Sequence, residues 1–336
     1  MTIARRSMMA LAAAAVAAPA RAAPVIRLGL LKTLSPAPFY LAQERGYFAA
    51  EGVEVQFRFF EAAQPIAAAA VAGDTDMGVT ALTGGFFALA GKGELKVIGG
   101  GLHEQKGFHL TAVLVSKQAY DAGLTSLDKL GGKTFGITQY GSSFHYMIGR
   151  LAGIAGFDLK SVTLRPLQQI SNMVAAVRTG QVDATMAIAS MARPIEAAGE
   201  AKIIGWVGDV LPYQITALFA TAAMVEKRPE DLRRFCRAYQ KGVADYRAAF
   251  LRFDAAGKPV YSADTDKAIG ELTKYVFTGD PAAEAKIKAG IGWYDEGAAL
   301  DVEDVRAQIA WFFEQGLIKT QVDPALAINT SFMPTR

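Results

Sequence analysis

One junction occurs twice in this chain. Residues 67–81 read "AAAAVAGDTDMGVTA", and residues 173–189 read "MVAAVRTGQVDATMAIA". In each, an Ala-Val helix halts at glycine (Gly73, Gly180), an aspartate follows three residues later (Asp76, Asp183), and a short apolar strand begins. Glycine suits the left-handed cap that ends such a helix. A helix-turn-strand junction repeated at the equivalent place in two βα units points to two similar lobes.

The flanking patterns agree. Ile26 to Leu31 is a short apolar strand, followed by a loop and a helix from Phe39 to Arg45. Val53, Val55, Phe57 and Phe59 alternate with polar residues, the period of a strand. A helix over Pro65–Ala72, a strand over Met77–Thr80, a helix over Gly84–Gly91 and a strand over Leu95–Ile98 complete a first α/β unit. A second begins with a strand at Thr134–Thr138 and a helix at Ser143–Ala155. It continues with strands at Val162–Leu164, Ala184–Ile188 and Ile203–Val207, and helices at Ile170–Thr179 and Met191–Ala198. Such alternation predicts sheets of parallel type with helices on both faces. Two extended apolar segments, Leu110–Ser116 and Ile215–Thr221, separate the units and are expected to cross between lobes as a hinge. The rest is mostly helical: Pro229–Phe250, Thr265–Phe277 and Val302–Gly316.

The N-terminus has a different character. Arg5 and Arg6 precede an uncharged run, Ser7 to Ala18, and Ala20-Arg21-Ala22 offers a small-residue cleavage site. That is the layout of an export signal over residues 1–22, with paired arginines of twin-arginine type. The run is shorter than the roughly 20 residues that span a bilayer. The chain carries 35 basic and 32 acidic residues; without Arg5, Arg6 and Arg21 the two balance. A neutral mature chain gives no reason to expect nucleic acid as a partner.

Metal and nucleophile chemistry find little support. Cys236 is the sole cysteine, and the histidines are His103, His109 and His145, without metal-ligand spacing. The stretch "QYGSSFH" after the Thr134 strand resembles a nucleophile turn but lacks the second glycine of G-x-S-x-G. His145 lies on the serines' own helix, not across from them. Gly141, Ser142 and Ser143 instead open a helix whose first N–H groups have no internal partner, a place for an acceptor group. Ser142 or Ser143 as a plain N-cap is compatible with that role.

Four stretches together carry a family likeness: "IRLGLLKTLSPAPFYLAQERGYFAAEGVEVQF", "AVAGDTDMGV", "SLDKLGGKTFGITQYGSSFHYMIGRLAGIAGFD" and "VAAVRTGQVDATMAIASMARPI". On these the chain resembles the periplasmic substrate-binding proteins of the nitrate/sulfonate/taurine and thiamine-pyrimidine-precursor type. The resemblance covers about Val25 to Val207. It implies a two-lobed type 2 periplasmic-binding fold: α/β, two sheets of parallel type flanked by helices and joined by two hinge strands, with a helical C-terminal extension. Lobe 1 is expected over 23–112 and 218–336, lobe 2 over 113–217. The family often has an acidic residue before the proline that follows the second G-x-x-D-A strand, where this chain has Arg193.

Ligands of open α/β sheets bind at the carboxyl ends of strands. Four loops qualify, and from them come the candidate ligand residues Ser35, Pro36, Phe39, Thr80, Leu82, Thr83, Tyr140, Gly141, Ser142, Ser143, Phe144, Ser190 and Arg193. Arg193, if it faces the cleft, favours an anion. The expectation is a monomeric periplasmic receptor of an ABC importer. It captures a small anionic or aromatic ligand and delivers it to a membrane permease, with no catalytic residues, metal or cofactor. Two alternatives use the same fold: an exported enzyme related to thiamine-pyrimidine synthesis, and a ligand sensor for a membrane signalling partner.

Overall fold

The computed structural model describes residues 23–336. The expected export signal, residues 1–22, lies outside the described residues.

The strands, in chain order, are β1 (Val25–Leu31), β2 (Glu54–Phe60), β3 (Met77–Ala81), β4 (Leu95–Gly100), β5 (Leu102–Glu104), β6 (Thr111–Ser116) and β7 (Thr134–Ile137). Then come β8 (Thr163–Pro166), β9 (Ala184–Ile188), β10 (Ala201–Trp206), β11 (Tyr213–Gln214), β12 (Thr216–Thr221) and β13 (Trp293–Tyr294). Two five-stranded sheets result, ordered β2-β1-β3-β12-β4 and β8-β7-β9-β6-β10. The two orders are the same topology. In each, one strand runs antiparallel to its neighbours, β12 in the first and β6 in the second. The fold is therefore the two-lobed α/β arrangement that the repeated junction predicts.

The G-x-x-D junctions have one structural job. The Asp76 carboxylate accepts the backbone N–H of Arg27 at 2.8 Å. That of Asp183 accepts the backbone N–H of Thr134 at 2.7 Å and its hydroxyl at 2.8 Å. Each aspartate thus pins the strand that opens its own α/β unit. Gly73 and Gly180 adopt φ of 85° and 73°, where a side chain would be strained.

The segments expected to be hinge strands are interior members of the sheets instead. β6 lies between β9 and β10, and β12 between β3 and β4. The crossings are the stretches before them, residues 105–110 and 207–215. A small third sheet, β11-β5-β13, ties both to the C-terminal region.

The helical tail joins the lobes. The long helix Pro229–Phe250 packs on Ala37–Glu44 of lobe 1, with Phe39 stacked on Tyr239 at 4.0 Å between ring centres. The helix Val302–Glu314 touches both lobes. Phe312 packs on Phe87 of lobe 1, while Trp311 meets Tyr146 of lobe 2 edge-on at 5.1 Å. Gly149, on the helix Ser143–Ala155, makes room for that indole: a Cβ there would lie 2.2 Å from Trp311 Cζ2. Cys236 is buried in the long helix, and burial pushes its thiol pKa up. Among the described residues no helix is long and apolar enough to cross a membrane.

Candidate functional site

A cavity of about 90 Å³ lies between the lobes. Its wall follows from the topology. Leu31, Ala81 and Ile188 are the last residues of β1, β3 and β9, and Thr138 follows β7 directly. Strands that run the same way deliver their carboxyl ends to one place. The helices that follow begin there too, at Ala63, Gly84, Ser143 and Ile170. The antiparallel strands enter from the same side and contribute Thr111 and Thr216. An outer chamber of about 480 Å³ shares Leu31, Thr33, Leu34, Ile170 and Ile188 with the cavity and adds Phe60, Tyr275 and Phe277.

The helix at Ser143 has the geometry of an acceptor site. Ser142 is its N-cap: its hydroxyl accepts the His145 backbone N–H at 3.3 Å. The first-turn N–H groups of Ser143 and Phe144 take no part in the helix ladder. Ser142, Ser143 and Phe144 all line the cavity. The imidazole of His145 is committed elsewhere. Its Nδ1 accepts the Gly141 N–H at 3.1 Å, and burial lowers its pKa to about 4. Its acceptor nitrogen is thus occupied, and burial keeps the ring uncharged at neutral pH.

The lobes meet beside this helix. Gly84 donates its N–H to the Gly141 carbonyl at 2.9 Å, and Gln64 Nε2 donates to the Tyr140 carbonyl at 3.3 Å. Gly141 has φ of 76°, which turns its carbonyl toward lobe 1.

The lining is apolar with hydroxyl and amide groups. No Asp, Glu, Lys, Arg or His of the described residues lines the cavity. One hydroxyl stands out. Thr111 Oγ1 is buried on the cavity wall, beside the Glu104 carboxyl but without a hydrogen bond of good geometry to any described residue. A buried hydroxyl held this loosely is able to turn to a ligand on the same wall. The Glu104 carboxyl is itself buried, with the Thr111 hydroxyl and the backbone N–H groups of Thr111 and Gly208 as its polar neighbours. Burial pushes its pKa up to about 8.

The candidates named from sequence divide in place. Ser35, Thr83, Ser142, Ser143 and Phe144 lie on the wall. Gly141 forms the seam beside it, and Ser190 lines the outer chamber. The others stand elsewhere. Phe39 is fully buried against Tyr239, and Pro36 is the buried N-cap of the helix Ala37–Glu44. Thr80 and Leu82 are buried in lobe 1 away from the wall. Tyr140 is 56% exposed. Arg193 is exposed, with its guanidinium over the Trp206 ring at 4.9 Å and 3.3 Å from His109 Nδ1. It therefore brings no charge to this cavity. Thr111, Gln64 and Tyr246 are wall residues that the strand-end rule passed over. They belong to a strand start, a helix start and the C-terminal region.

Two lobes of one topology, closed over a cavity at their strand ends, define a protein of the periplasmic-binding fold. The chain belongs to the NMT1/THI5-like family, whose model matches residues 34–249. The riboflavin-binding protein RibY of Chloroflexus aurantiacus is 28% identical over 253 residues, 70% of this chain and 67% of that protein. The alkanesulfonate-binding protein SsuA of Xanthomonas axonopodis pv. citri, solved with MOPS bound, superimposes with a TM-score of 0.72 at 18% identity. The match covers 93% of this chain and all of SsuA. The desulfurization enzyme DszB shares the fold at a TM-score of 0.60 and 13% identity, over 92% of this chain and 97% of DszB. The fold thus serves both binding proteins and an enzyme.

Proposed function

We propose that this protein is the exported solute-binding receptor of an ABC importer. It holds a small, uncharged heteroaromatic ligand between its lobes and presents the closed form to a membrane permease. The observation that carries the ligand class is the cavity lining: apolar side chains, hydroxyls and amides, with no charged group among the described residues. A buried anion would require a paired cation there. A carbonyl or ring nitrogen requires only hydrogen-bond donors, which the N–H groups of Ser143 and Phe144 and the hydroxyl of Thr111 can supply. The outer chamber adds Lys32 and Glu61, one charge of each sign, beside Phe60, Tyr275 and Phe277, whose rings suit a planar ligand. The likeness to RibY supports the same class, since riboflavin is an uncharged ring system rich in carbonyl and hydroxyl groups. Of the two ligand types expected from sequence, anionic and aromatic, the lining favours the aromatic one.

A binding role without catalysis fits the same wall. His145 Nδ1, the ring's acceptor nitrogen, is taken up by the Gly141 N–H, so it is not free to take a proton from Ser142 or Ser143.

The test is a thermal-shift screen of residues 23–336 against riboflavin, pyrimidines, alkanesulfonates and aromatic carboxylates, with mass spectrometry of anything released on denaturation. Stabilisation by riboflavin or a pyrimidine alone is the expected result. Stabilisation by sulfonates alone would overturn the ligand class, and no shift with any compound would overturn the receptor reading.

A further inference from the structure

The wall that closes the interlobe cavity has a second face. Leu110, Tyr246 and Gly290 line the cavity, while their neighbours His109, Phe250, Ala289 and Ile291 line a surface pocket of about 610 Å³. This pocket draws on three parts of the fold. The crossing at 105–110 supplies Lys106, Phe108 and His109; the lobe 2 helix Ala189–Ala197 supplies Arg193; the C-terminal region supplies Phe253, Tyr261 and Lys288.

Its chemistry is the reverse of the cavity's. Among the described residues, neither Arg193 nor Lys106 forms an ion pair, and no Asp or Glu lines the pocket. The nearest carboxylates are already engaged. Asp209 stands 3.5 Å from His109 Nε2, and Glu284 bonds Lys288 at 2.5 Å. His109 stacks on Trp206 at 4.7 Å, and its Nδ1 accepts from Arg193, so Nε2 carries the hydrogen toward Asp209. The imidazole stands between the guanidinium and Asp209, and both it and the guanidinium lie against the Trp206 ring. The remaining surface is aromatic. Phe108 meets Phe253 edge-on at 5.3 Å and Trp293 at 5.0 Å, and Lys288 Nζ lies 4.6 Å from the Tyr261 ring centre.

We propose that this pocket is a second site, separate from the interlobe cavity, that takes an aryl acid: a planar ring bearing one carboxylate or sulfonate. The acid group pairs with Arg193 and Lys106, where a planar guanidinium matches two oxygens at once. The ring lies against Phe108, Phe253 and Tyr261. An alkyl acid would leave that aromatic surface unused, and a neutral ring would leave both cations unpaired. The site is assembled from both lobes and a crossing, so it is complete only while the lobes keep their present relation.

Benzenesulfonate serves as the probe, read by fluorine NMR on the protein labelled with fluorotryptophan. The chain has three tryptophans. Trp206 and Trp293 border the pocket, whereas Trp311 sits in the seam between lobes. Saturable shifts of Trp206 and Trp293 with Trp311 unmoved are expected, with binding about tenfold weaker in Arg193→Gln, the loss of one charged hydrogen-bonding partner. Benzyl alcohol, uncharged and of similar size, is expected to move none of them. Absence of saturable shifts at millimolar probe would overturn the proposal, as would binding indifferent to Arg193→Gln or equal binding of benzyl alcohol. Because Arg193 is exposed, the variant's fold is checked simply by its circular dichroism. The receptor reading depends on the other cavity and survives either result.

Discussion

Gly84 donates its backbone N–H to the carbonyl of Gly141, at 2.9 Å, across the line where the two lobes meet. Each glycine stands at the start of a helix that borders the cavity, one in each lobe. The contact is backbone to backbone, so it depends on how the lobes are placed and not on which side chains they carry. It describes a closed arrangement, and the lobes' packing is what maintains it.

That packing is sensitive at Gly149. A methyl group there would meet Trp311 at 2.2 Å, within a tightly filled contact between lobe 2 and the C-terminal helix. Overpacking of this kind costs about 1–3 kcal/mol. Gly149→Ala is expected to lower the melting temperature by several degrees. It should also raise the radius of gyration seen by small-angle scattering, as the indole is pushed from the seam. An unchanged melt would mean that Trp311 repacks freely.

Thr111 gives a prediction with two parts. Its hydroxyl is buried without a hydrogen bond of good geometry to any described residue. Thr111→Val removes a loosely held hydroxyl beside the buried Glu104 carboxyl at nearly constant shape, so stability should change by no more than about 1 kcal/mol. Ligand affinity should fall about tenfold, the worth of one buried hydrogen bond to the ligand. Calorimetric titration with the compound that stabilises the wild-type protein, run beside a thermal melt, checks both. Equal affinity would remove Thr111 from the site.

Asp183 should matter to stability more than an exposed turn residue would. It accepts both the N–H and the hydroxyl of Thr134. Asp183→Ala leaves those donors unpaired where β7 begins, a loss of about 1–3 kcal/mol. Urea unfolding should show a lower midpoint with an unchanged slope.

Glu104 sets a pH dependence. Burial raises its pKa from 4.5 to about 8 in the folded protein, so the folded state holds this proton more tightly than the unfolded chain does. Its contribution to stability is complete below pH 4.5 and is lost as the pH rises toward 8. Glu104→Gln removes the titration. The variant's melting temperature should fall less than the wild type's between those limits, and should be higher than the wild type's at pH 8. Parallel melting curves across that range would show that Glu104 titrates normally.

Much of the fold was legible because its signals are local. Helix Ser143–Ala155, helix Pro229–Phe250 and strand Ala184–Ile188 lie where the residue pattern puts them. The three-stranded sheet was not legible, since strands of two or three residues such as Tyr213–Gln214 are too short to show a period. Nor did the pattern separate a strand that crosses between lobes from one that ends inside a sheet, because both are apolar and extended; β6 and β12 are the case in point. In the site, Ser142 and Ser143 could be read from a Gly-Ser-Ser turn at a strand end. Phe39 could not be told from a ligand wall, because an aromatic at a helix start looks alike in either role, and only Tyr239, distant in sequence, decides it. Thr111 was invisible for a related reason: nothing in "LTAVLVS" says that its first hydroxyl is loosely held.

The helix Val302–Glu314 lies beyond both lobes in sequence and touches each of them in space. Synthesis proceeds from the N-terminus, and domains fold as they emerge. Both halves therefore leave the ribosome before the piece that fastens them together exists. Until Trp311 and Phe312 arrive, the nascent chain lacks the aromatic contact that spans its two halves.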